Sequence, residues 1–410
     1  MNDEERNAII NSGLKLKKAY PQPLFLYTSF IKDFNWNELE TVVSWYTHNA
    51  PDDPVARDNS IWQTTYQDSN NINQMALQFL TQTYKLIFRT AENLESLFID
   101  TTYLLYLLPD FTSSFHTPFI LAKLKKVKLS LNYDEEEWEN NTENLRDLIN
   151  ALKLVSRNIR ILEISTNVLE LSNIHQLCDL LKFQHNLEDL ILENIRDEHV
   201  SIIHTLQQHQ AKSLVYLEFR YSSLAIWTVT LLKKLEIFTR MEGIAFMSCR
   251  WNSRHENSFI DWWTELSQFP TSLNRLYFNC TAINDKIVIP LIKIVGNNLK
   301  ELVVRNDCTQ QLFEVIAEHA KNISSLELGL EVASAPFLQT IISLQSLQHL
   351  SLRSAYLLSD DFLIELSKNM KPNTKFYCAS ELTPHVLASF LSNRIKPTDY
   401  HNAILWPRNF

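Results

Sequence analysis

Glycine is scarce in this chain, and its scarcity excludes the common nucleotide-binding loops. Gly13, Gly243, Gly296 and Gly329 are the only glycines in 410 residues, and no two of them are close in sequence. A loop that holds a phosphate needs clustered glycines, because backbone N–H groups must approach the anion closely. The sequence therefore predicts neither a P-loop nor a Rossmann-type loop, and we expect no cofactor.

Cysteine and histidine are also too dispersed to indicate a metal centre or a disulfide framework. The cysteines are odd in number and contain no C-x-x-C pair; they are Cys178, Cys249, Cys280, Cys308 and Cys378. Metal sites and disulfide scaffolds show closer spacings. Dispersed thiols are typical of a reducing compartment, which predicts a cytoplasmic or nuclear protein. The chain has no H-E-x-x-H and no G-x-S-x-G motif, so we predict no metal, no catalytic residue and no enzyme activity.

The sequence also has few positive charges relative to negative ones and no long apolar run. The chain has 38 Lys and Arg against 47 Asp and Glu, a formal net charge of -9, which disfavours a nucleic-acid partner. The basic run at Lys123, Lys125, Lys126 and Lys128 is either a local binding spot or a solvated repeat face. No apolar stretch approaches the length needed to cross a bilayer. We therefore expect neither a nucleic-acid nor a membrane partner.

The chain does contain a repeated L-x-x-L-x-L pattern. A clear copy is Leu187-Glu188-Asp189-Leu190-Ile191-Leu192, and most copies follow each other at or near the roughly 20–29 residues of a leucine-rich repeat. The second apolar position of each copy falls at Leu97, Val127, Leu162, Leu190, Leu217, Ile244, Leu276, Leu302, Leu326, Leu350 and Phe376. This pattern predicts an α/β leucine-rich-repeat solenoid. In a ribonuclease-inhibitor-like curved array of this kind, parallel strands line the concave face and helices lie outside.

Small polar residues follow many of these copies, where the chain must turn out of the strand. They are Thr102, Asn132, Asn167, Ser222, Cys249, Thr281 and Asp307, and the pattern is interrupted at Ile195, Glu331 and Ala355. We predict that these side chains satisfy backbone groups at the turns. Between the copies, apolar spacings of i, i+3, i+4 and i+7 predict helices, for example from Ile174 to Leu181 and from Val288 to Val295. Pro290 is compatible with the second helix if it lies in the first turn.

The repeat pattern also predicts the domain boundaries. Residues 1–90 form a helical N-terminal cap or linker with helices near 36–46 and 71–87, residues 91–380 form a solenoid of about eleven degenerate repeats, and residues 381–410 form a C-terminal capping helix and tail. The acidic segment at 134–139 is either a grip for a basic partner or a solvated loop.

Candidate binding residues lie on the strand positions that would face the concave surface. Acidic residues dominate that face up to Glu218, and arginines appear from Arg220 onward, so we predict that it orients a protein partner. The candidates on this face are Tyr216, Glu218, Arg220, Tyr277, Arg305 and Arg353. Arg250, Trp251 and Arg254 form a second candidate in an insertion, because exposed Arg and Trp often carry binding hot spots. Ordinary solvent exposure is the alternative for each residue.

The chain resembles the fungal F-box/leucine-rich-repeat proteins. The resemblance lies in the degenerate repeats at 156–164 and 185–192, in Pro23-Leu24-Phe25-Leu26-Tyr27 and in the helix that leads to Leu94. It implies a substrate-recognition role in a cullin-type (SCF) ubiquitin ligase, in which an F-box docks on a Skp-type adaptor. The F-box itself is not recognisable here, so adaptor docking is expected only if an F-box lies upstream. The alternatives are a ligase-independent scaffold or inhibitor and, third, a GTPase-activating leucine-rich-repeat protein.

Overall fold

The computed structural model describes residues 31–35, 87–88, 91–100, 117–130, 138–165, 171–195, 200–224, 228, 231–232, 234–251, 272–279, 285–330, 334–354, 358–379 and 382–397. The chain divides into two compact units, Met1–Leu187 and Glu188–Phe410. Strands and helices alternate along both units, as the repeat pattern predicts.

Unit 1 contains a parallel sheet in the order β1-β2-β3-β4. Its strands are β1 (Asp33–Asn35), β2 (Ser96–Asp100), β3 (Lys126–Ser130) and β4 (Ile161–Ser165). Its helices are α1 (Thr117–Leu121), α2 (Trp138–Val155) and α3 (Leu171–Phe183). In the register, Leu97 pairs with Val127 and Val127 with Leu162. The positions chosen as repeat markers therefore meet across neighbouring strands.

Unit 2 contains a longer parallel sheet in the order β5-β6-β8-β10-β11-β12-β13-β14-β15, and β7 and β9 pair separately. The strands are β5 (Asp189–Glu193), β6 (Tyr216–Arg220), β7 (Ser223–Leu224), β8 (Gly243–Met247), β9 (Arg250–Trp251), β10 (Arg275–Asn279), β11 (Glu301–Asp307), β12 (Ser325–Leu330), β13 (His349–Ser354), β14 (Lys375–Cys378) and β15 (Lys396–Pro397). The marker residues again pair directly, from Leu190 with Leu217 to Leu350 with Phe376. All eleven predicted strand positions are confirmed.

The helices of unit 2 follow the strands as the apolar spacings predict. They are α4 (Val200–His209), α5 (Asp285–Val295), α6 (Gln310–His319), α7 (Ala335–Ser343), α8 (Asp360–Asn369) and α9 (Pro384–Ser392). Short 3₁₀ turns at Leu235–Ile237 and Gly296–Asn298 complete two of the connections. Ser334, Ser359 and Thr383 cap α7, α8 and α9, because each side chain accepts a hydrogen bond from a backbone N–H of the first turn.

The apolar side of the strands forms the core. Leu217, Ile244 and Leu276 are fully buried, and the rings of Phe219, Phe246 and Phe278 stack in successive repeats with centroids 5.6 and 5.8 Å apart. At the C-terminal end Phe376 stacks on Phe390 of α9 at 4.6 Å, so the helices cover this side of the sheet. Parallel strands pair in register, a helix follows most of the described strands, and leucines pack between the two layers. These features constitute the leucine-rich-repeat fold.

The turns after the strands repeat as closely as the strands do. Asn194, Tyr221 and Ser248 all have positive φ, between 50° and 61°. Tyr221 N–H donates to Met247 O of the next repeat over 2.9 Å, and Asn194 and Ser248 make the equivalent bond. Immediately after these turns, Ser222 accepts a hydrogen bond from Ile195 N–H at 3.0 Å, and Cys249 donates to Phe219 O. The predicted structural role is confirmed for Ser222 and Cys249.

Several expectations need correction. Pro290 is the sixth residue of α5 and not part of its first turn. The helix loses one backbone hydrogen bond there, and burial of Val288, Leu291 and Ile292 on its inner face compensates. Trp138 begins α2, so the end of the acidic segment is helical; its residues 134–137 lie outside the described residues.

The segments at both ends of the repeat pattern also contribute strands. β1 pairs with β2 through Phe34 and Leu97, and β15 pairs with β14 through Phe376 and Pro397. The predicted helix at 36–46 and most of that at 71–87 lie outside the described residues, as do the turn positions Thr102, Asn132, Asn167, Thr281, Glu331 and Ala355. The described helices include none long and apolar enough to cross a membrane.

Candidate functional site

The candidate site is the strand face of unit 2 that points away from the helices. Side chains alternate along a strand, so the residues between the core positions reach this face. We call it the outer face and define it by Tyr216, Glu218, Arg220, Ala245, Met247, Arg275, Tyr277, Glu301, Val303, Arg305, Glu327 and Arg353. Ordinary solvent exposure was the alternative for its residues, and the structure contradicts it for several of them. Glu218 and Glu327 are 1% and 0% exposed, and both tyrosines are buried.

An apolar cluster holds the middle of the outer face together. Tyr216, Ala245, Met247, Tyr277 and Val303 bury one another, and the two tyrosine rings meet edge to face with centroids 6.3 Å apart. This arrangement depends on a missing side chain. A Cβ at Gly243 would lie 2.8 Å from Cδ2 of Tyr216, so glycine leaves the room that the tyrosine ring occupies.

Glu218 organises the polar groups beside this cluster. Tyr216 donates its hydroxyl hydrogen to Oε2 of Glu218 over 2.8 Å, and Arg220 Nε donates to Oε1 over 2.5 Å. Arg220 Nη1 also lies 3.5 Å from Oε1 of Glu193. Burial, and then the charge of Glu218, raises the pKa of Tyr216 well above its ordinary value. The tyrosine is therefore a neutral hydrogen-bond donor, and the arginine is fixed between two carboxylates.

A similar arrangement surrounds the second tyrosine. Tyr277 donates to Oε2 of Glu301 over 2.6 Å, and Arg275 Nε lies 3.6 Å from the same oxygen. Arg275 also approaches Glu242, with 4.0 Å between Nη2 and Oε2. Burial, followed by the negative charge of Glu301, raises the pKa of Tyr277 strongly.

The arginines at the C-terminal side share one buried carboxylate. Arg305 Nε donates to Oε1 of Glu327 over 2.7 Å, and Arg353 Nε lies 2.8 Å from the same oxygen. The side chain of Arg305 is nearly buried, whereas that of Arg353 is 29% exposed. Two guanidinium groups on one carboxylate give this end of the face a local positive charge.

The structure thus places the six residues predicted on this face in three polar groups, around Glu218, Glu301 and Glu327, and in one apolar cluster. The insertion candidates are elsewhere: Arg250 is exposed on β9, Trp251 lies on the same strand, and Arg254 lies outside the described residues. The sequence reasoning missed Glu193, Arg275, Glu301 and Glu327 as partners of the predicted arginines and tyrosines. Arg275 and Glu301 are the first residues of their strands, in the same row as Tyr216. The prediction took only Tyr216 from this row, although strand alternation places all three on the same face.

The basic run of unit 1 has mostly structural partners. Lys125 lies 2.9 Å from Glu95, and its hydrogen bond lowers the pKa of that carboxyl. Lys128 lies 2.8 Å from Glu163, which is almost completely buried on the strand face of β4. Lys123 Nζ donates to Glu92 O, so three of the four lysines have partners in neighbouring segments of unit 1.

Comparison with known proteins identifies a solved structure of low similarity. The crystal structure of the leucine-rich repeat-containing protein LegL7 from Legionella pneumophila matches with 16% sequence identity and a TM-score of 0.41, over 66% of this chain and 90% of LegL7. No protein-family model and no curated protein matches the sequence. The assignment to the leucine-rich-repeat fold rests on the strand register and the leucine core of this chain itself.

The chemistry available on the outer face is that of recognition. Its carboxylates accept hydrogen bonds from arginine or tyrosine, and its tyrosines stay protonated at neutral pH. Within the described ranges, no group of three His, Cys, Asp or Glu side chains has the geometry to hold a metal ion. What the face offers a ligand is a set of fixed guanidinium donors beside packed aromatic rings.

Proposed function

We propose that this chain is a non-catalytic, protein-binding leucine-rich-repeat protein of the cytoplasm or nucleus. The outer face of unit 2 binds the partner. The observation that carries this proposal is the fixation of three half-exposed arginines. Arg220, Arg275 and Arg353 keep 23%, 30% and 29% of their side chains exposed, and each lies against carboxylates of the same face.

Fixed arginines favour binding for a thermodynamic reason. Ordering a long side chain at an interface costs roughly 0.5–1.5 kcal/mol, and here the ion pairs have ordered the guanidinium groups before a partner arrives. A guanidinium fork matches a carboxylate in a bidentate geometry. We therefore infer a partner that places an acidic side chain at Arg353, beside the two cations that share Glu327, and neutral hydrogen-bond acceptors at Arg220 and Arg275, each of which already lies near two carboxylates.

The test compares binding by variants that remove the exposed charge without emptying the core. Arg220→Gln and Arg353→Gln together are expected to lose the partners that the wild-type chain captures from cell extract, as measured by quantitative affinity purification. Arg240→Gln is the matched control, because Arg240 is exposed in the turn before β8. Unchanged capture by the double variant, with circular dichroism showing native folding, contradicts the assignment of this surface.

We further propose, from the resemblance to F-box/leucine-rich-repeat proteins, that the bound partner is a substrate of a cullin-type ubiquitin ligase. Co-purification of the full-length gene product with a Skp-type adaptor is the expected result. Failure to bind that adaptor at micromolar concentrations of both proteins refutes the ligase role and leaves the outer-face proposal standing.

One observation favours the alternative of a ligase-independent scaffold or inhibitor. Phe34 follows the segment at 23–27 that carries part of the F-box resemblance, but it lies in β1, pairs with Leu97 and packs edge to face on Phe88 with ring centroids 6.1 Å apart. It is a core residue of the repeat array. No comparable observation favours GTPase activation, because Arg220, Arg305 and Arg353 lie on strands in ion pairs and not on a loop at the rim.

A further inference from the structure

We infer that unit 1 carries a second protein-docking surface, on the C-terminal ends of its helices, and that its ligand is an acidic amphipathic helix. The surface is marked by three exposed apolar side chains, Phe119 of α1, Leu154 of α2 and Phe183 of α3. Their side chains are 74%, 70% and 36% exposed. We call them the helix-end row. The inference is independent of the outer face, because it concerns the other unit and the helical layer.

The helix-end row follows from the repeat register. Lys126 pairs with Ile161, and Phe119 and Leu154 each precede these paired residues by the same number of positions. They therefore occupy the same place in successive repeats. Large apolar side chains at one repeat position form a row because neighbouring repeats stack side by side.

Buried hydrogen bonds fix the helix ends that carry the row. Ser156 Oγ donates to Leu121 O over 2.6 Å, which joins the end of α1 to the end of α2. Gln184 Nε2 donates to Ser156 O over 2.8 Å and joins α2 to α3. The three apolar residues each lie one or two positions before this ladder. Their backbone positions are consequently rigid relative to one another.

The segments that carry the row are rich in cations, and two of these cations contact Phe183. The segments 119–126, 153–160 and 182–187 contain no acidic residue, whereas the whole chain has a net charge of -9. Their cations are Lys123, Lys125, Lys126, Lys153, Arg157, Arg160 and Lys182. Glu95 and Asp179, from the adjoining strand and helix, pair with Lys125 and Lys153. Arg157 lies over the ring of Phe183, 4.5 Å from its centroid, and Lys182 lies 5.8 Å from it.

Exposed apolar side chains on segments that carry cations and no acidic residue are complementary to an apolar stripe flanked by carboxylates. Packed helices lie about 8–10 Å apart, which sets the spacing along the row. An α-helix rises about 1.5 Å per residue, so apolar residues seven positions apart are separated by about 10.5 Å on one face. A helix that crosses the ends of α1, α2 and α3 with one apolar residue per heptad and acidic neighbours therefore matches the row in both spacing and charge.

A protein ligand agrees with the charge better than an anionic membrane does. A bilayer surface attracts clustered cations, but it repels a chain whose net charge is -9. A short acidic helix meets only the local positive charge of the helix ends.

The experiment uses the full-length chain and a fluorescent synthetic helix as the probe. The probe has leucine at every seventh position and glutamate and alanine elsewhere, and a scrambled peptide of the same composition is its control. Binding is followed by fluorescence anisotropy. We expect the ordered probe to bind and the double variant Phe119→Ser, Leu154→Ser to bind at least about tenfold more weakly. Leu391→Ser, at a 61% exposed leucine of α9 in unit 2, is the matched variant that should keep wild-type affinity.

Other outcomes overturn the proposal. Equal binding of the ordered and scrambled peptides shows attraction by charge alone, and an absence of binding shows that the row does not dock an acidic helix. Equal affinity of wild type and the Phe119→Ser, Leu154→Ser variant places the probe elsewhere. Binding of the wild-type chain to phosphatidylserine vesicles, lost in that variant, reassigns the surface to membranes. If sedimentation shows that the wild-type chain is a dimer and the variant a monomer, the surface is reassigned to self-association.

Discussion

Glu327 gives the sharpest test of the outer face, because its buried carboxylate is shared by Arg305 and Arg353. Glu327→Gln keeps the size of the side chain and removes the negative charge. One guanidinium beside it is nearly buried, and the other is 29% exposed. The variant therefore leaves two cations close together without their common anion.

The expected loss of stability follows from this geometry. Removing one partner of a buried ion pair costs about 3–5 kcal/mol, since the remaining charge stays buried. Because Arg353 is partly exposed, solvent screens its charge, and we expect a loss of about 3 kcal/mol, at the lower end of this range. In a unit of this size that loss lowers the midpoint of thermal unfolding by about 6–12 °C.

The assay is urea unfolding followed by circular dichroism, with Glu95→Gln as the matched control. Glu95 also pairs with a cation, but both side chains of that pair are exposed, and we expect no measurable change. Replacing Arg305, Glu327 and Arg353 together by methionine removes all the buried charge and should restore most of the stability.

Two results would refute the reasoning. A wild-type unfolding midpoint for Glu327→Gln means that the carboxylate does not hold the two arginines in solution. A triple variant as unstable as Glu327→Gln means that the loss comes from packing and not from uncompensated charge.

Three further predictions concern the turn, the glycine and the tyrosines. Ser222→Ala removes the acceptor of Ile195 N–H and should lower the free energy of unfolding by about 1–2 kcal/mol, measured by urea titration; an unchanged value contradicts the stacking role of the turn. Gly243→Ala places a Cβ against the Tyr216 ring and should cost about 1–3 kcal/mol by overpacking, which a thermal melt at wild-type values would disprove. Because the pKa values of Tyr216 and Tyr277 are raised in the folded chain, their contribution to stability is complete below about pH 10 and falls as the pH rises further. Tyrosinate absorbance should show both ionising only as the chain unfolds, and their ionisation in the folded protein would contradict the burial.

The strand positions were predictable because they depend on short spacings. Each L-x-x-L-x-L copy predicts its own strand. Because the same position of neighbouring copies pairs across the sheet, Leu217 lies beside Ile244, and this can be predicted without knowing the structure of the residues between them. β1 and β15 were missed for the same reason. Phe34 and Pro397 pair with marker residues, but neither is part of a recognisable copy.

The composition of the candidate site was predictable, but its burial was not. Alternation places Tyr216, Glu218 and Arg220 on one face from the sequence alone. Whether they are exposed depends on residues of other repeats, such as Tyr277, whose ring reaches Tyr216 across β8. The room for that contact comes from Gly243, and a single glycine in a strand carries no signal of what it accommodates. Ion pairs between repeats could not be predicted for the same reason, because they join residues of different repeats: the partner of Arg353 is Glu327 on the preceding strand.

Pro397 in β15 bears on how the molecule behaves at high concentration. A parallel sheet with a free edge is a template on which another copy of the chain can add strands and grow into a fibre. Among the described residues β15 is the last strand of this sheet. It is short, Lys396 is exposed on it, and a proline has no N–H with which to continue the ladder. Exchange of Pro397 for valine would give this strand a further hydrogen-bond donor, and resistance to aggregation would then depend on Lys396 and on the shortness of the strand.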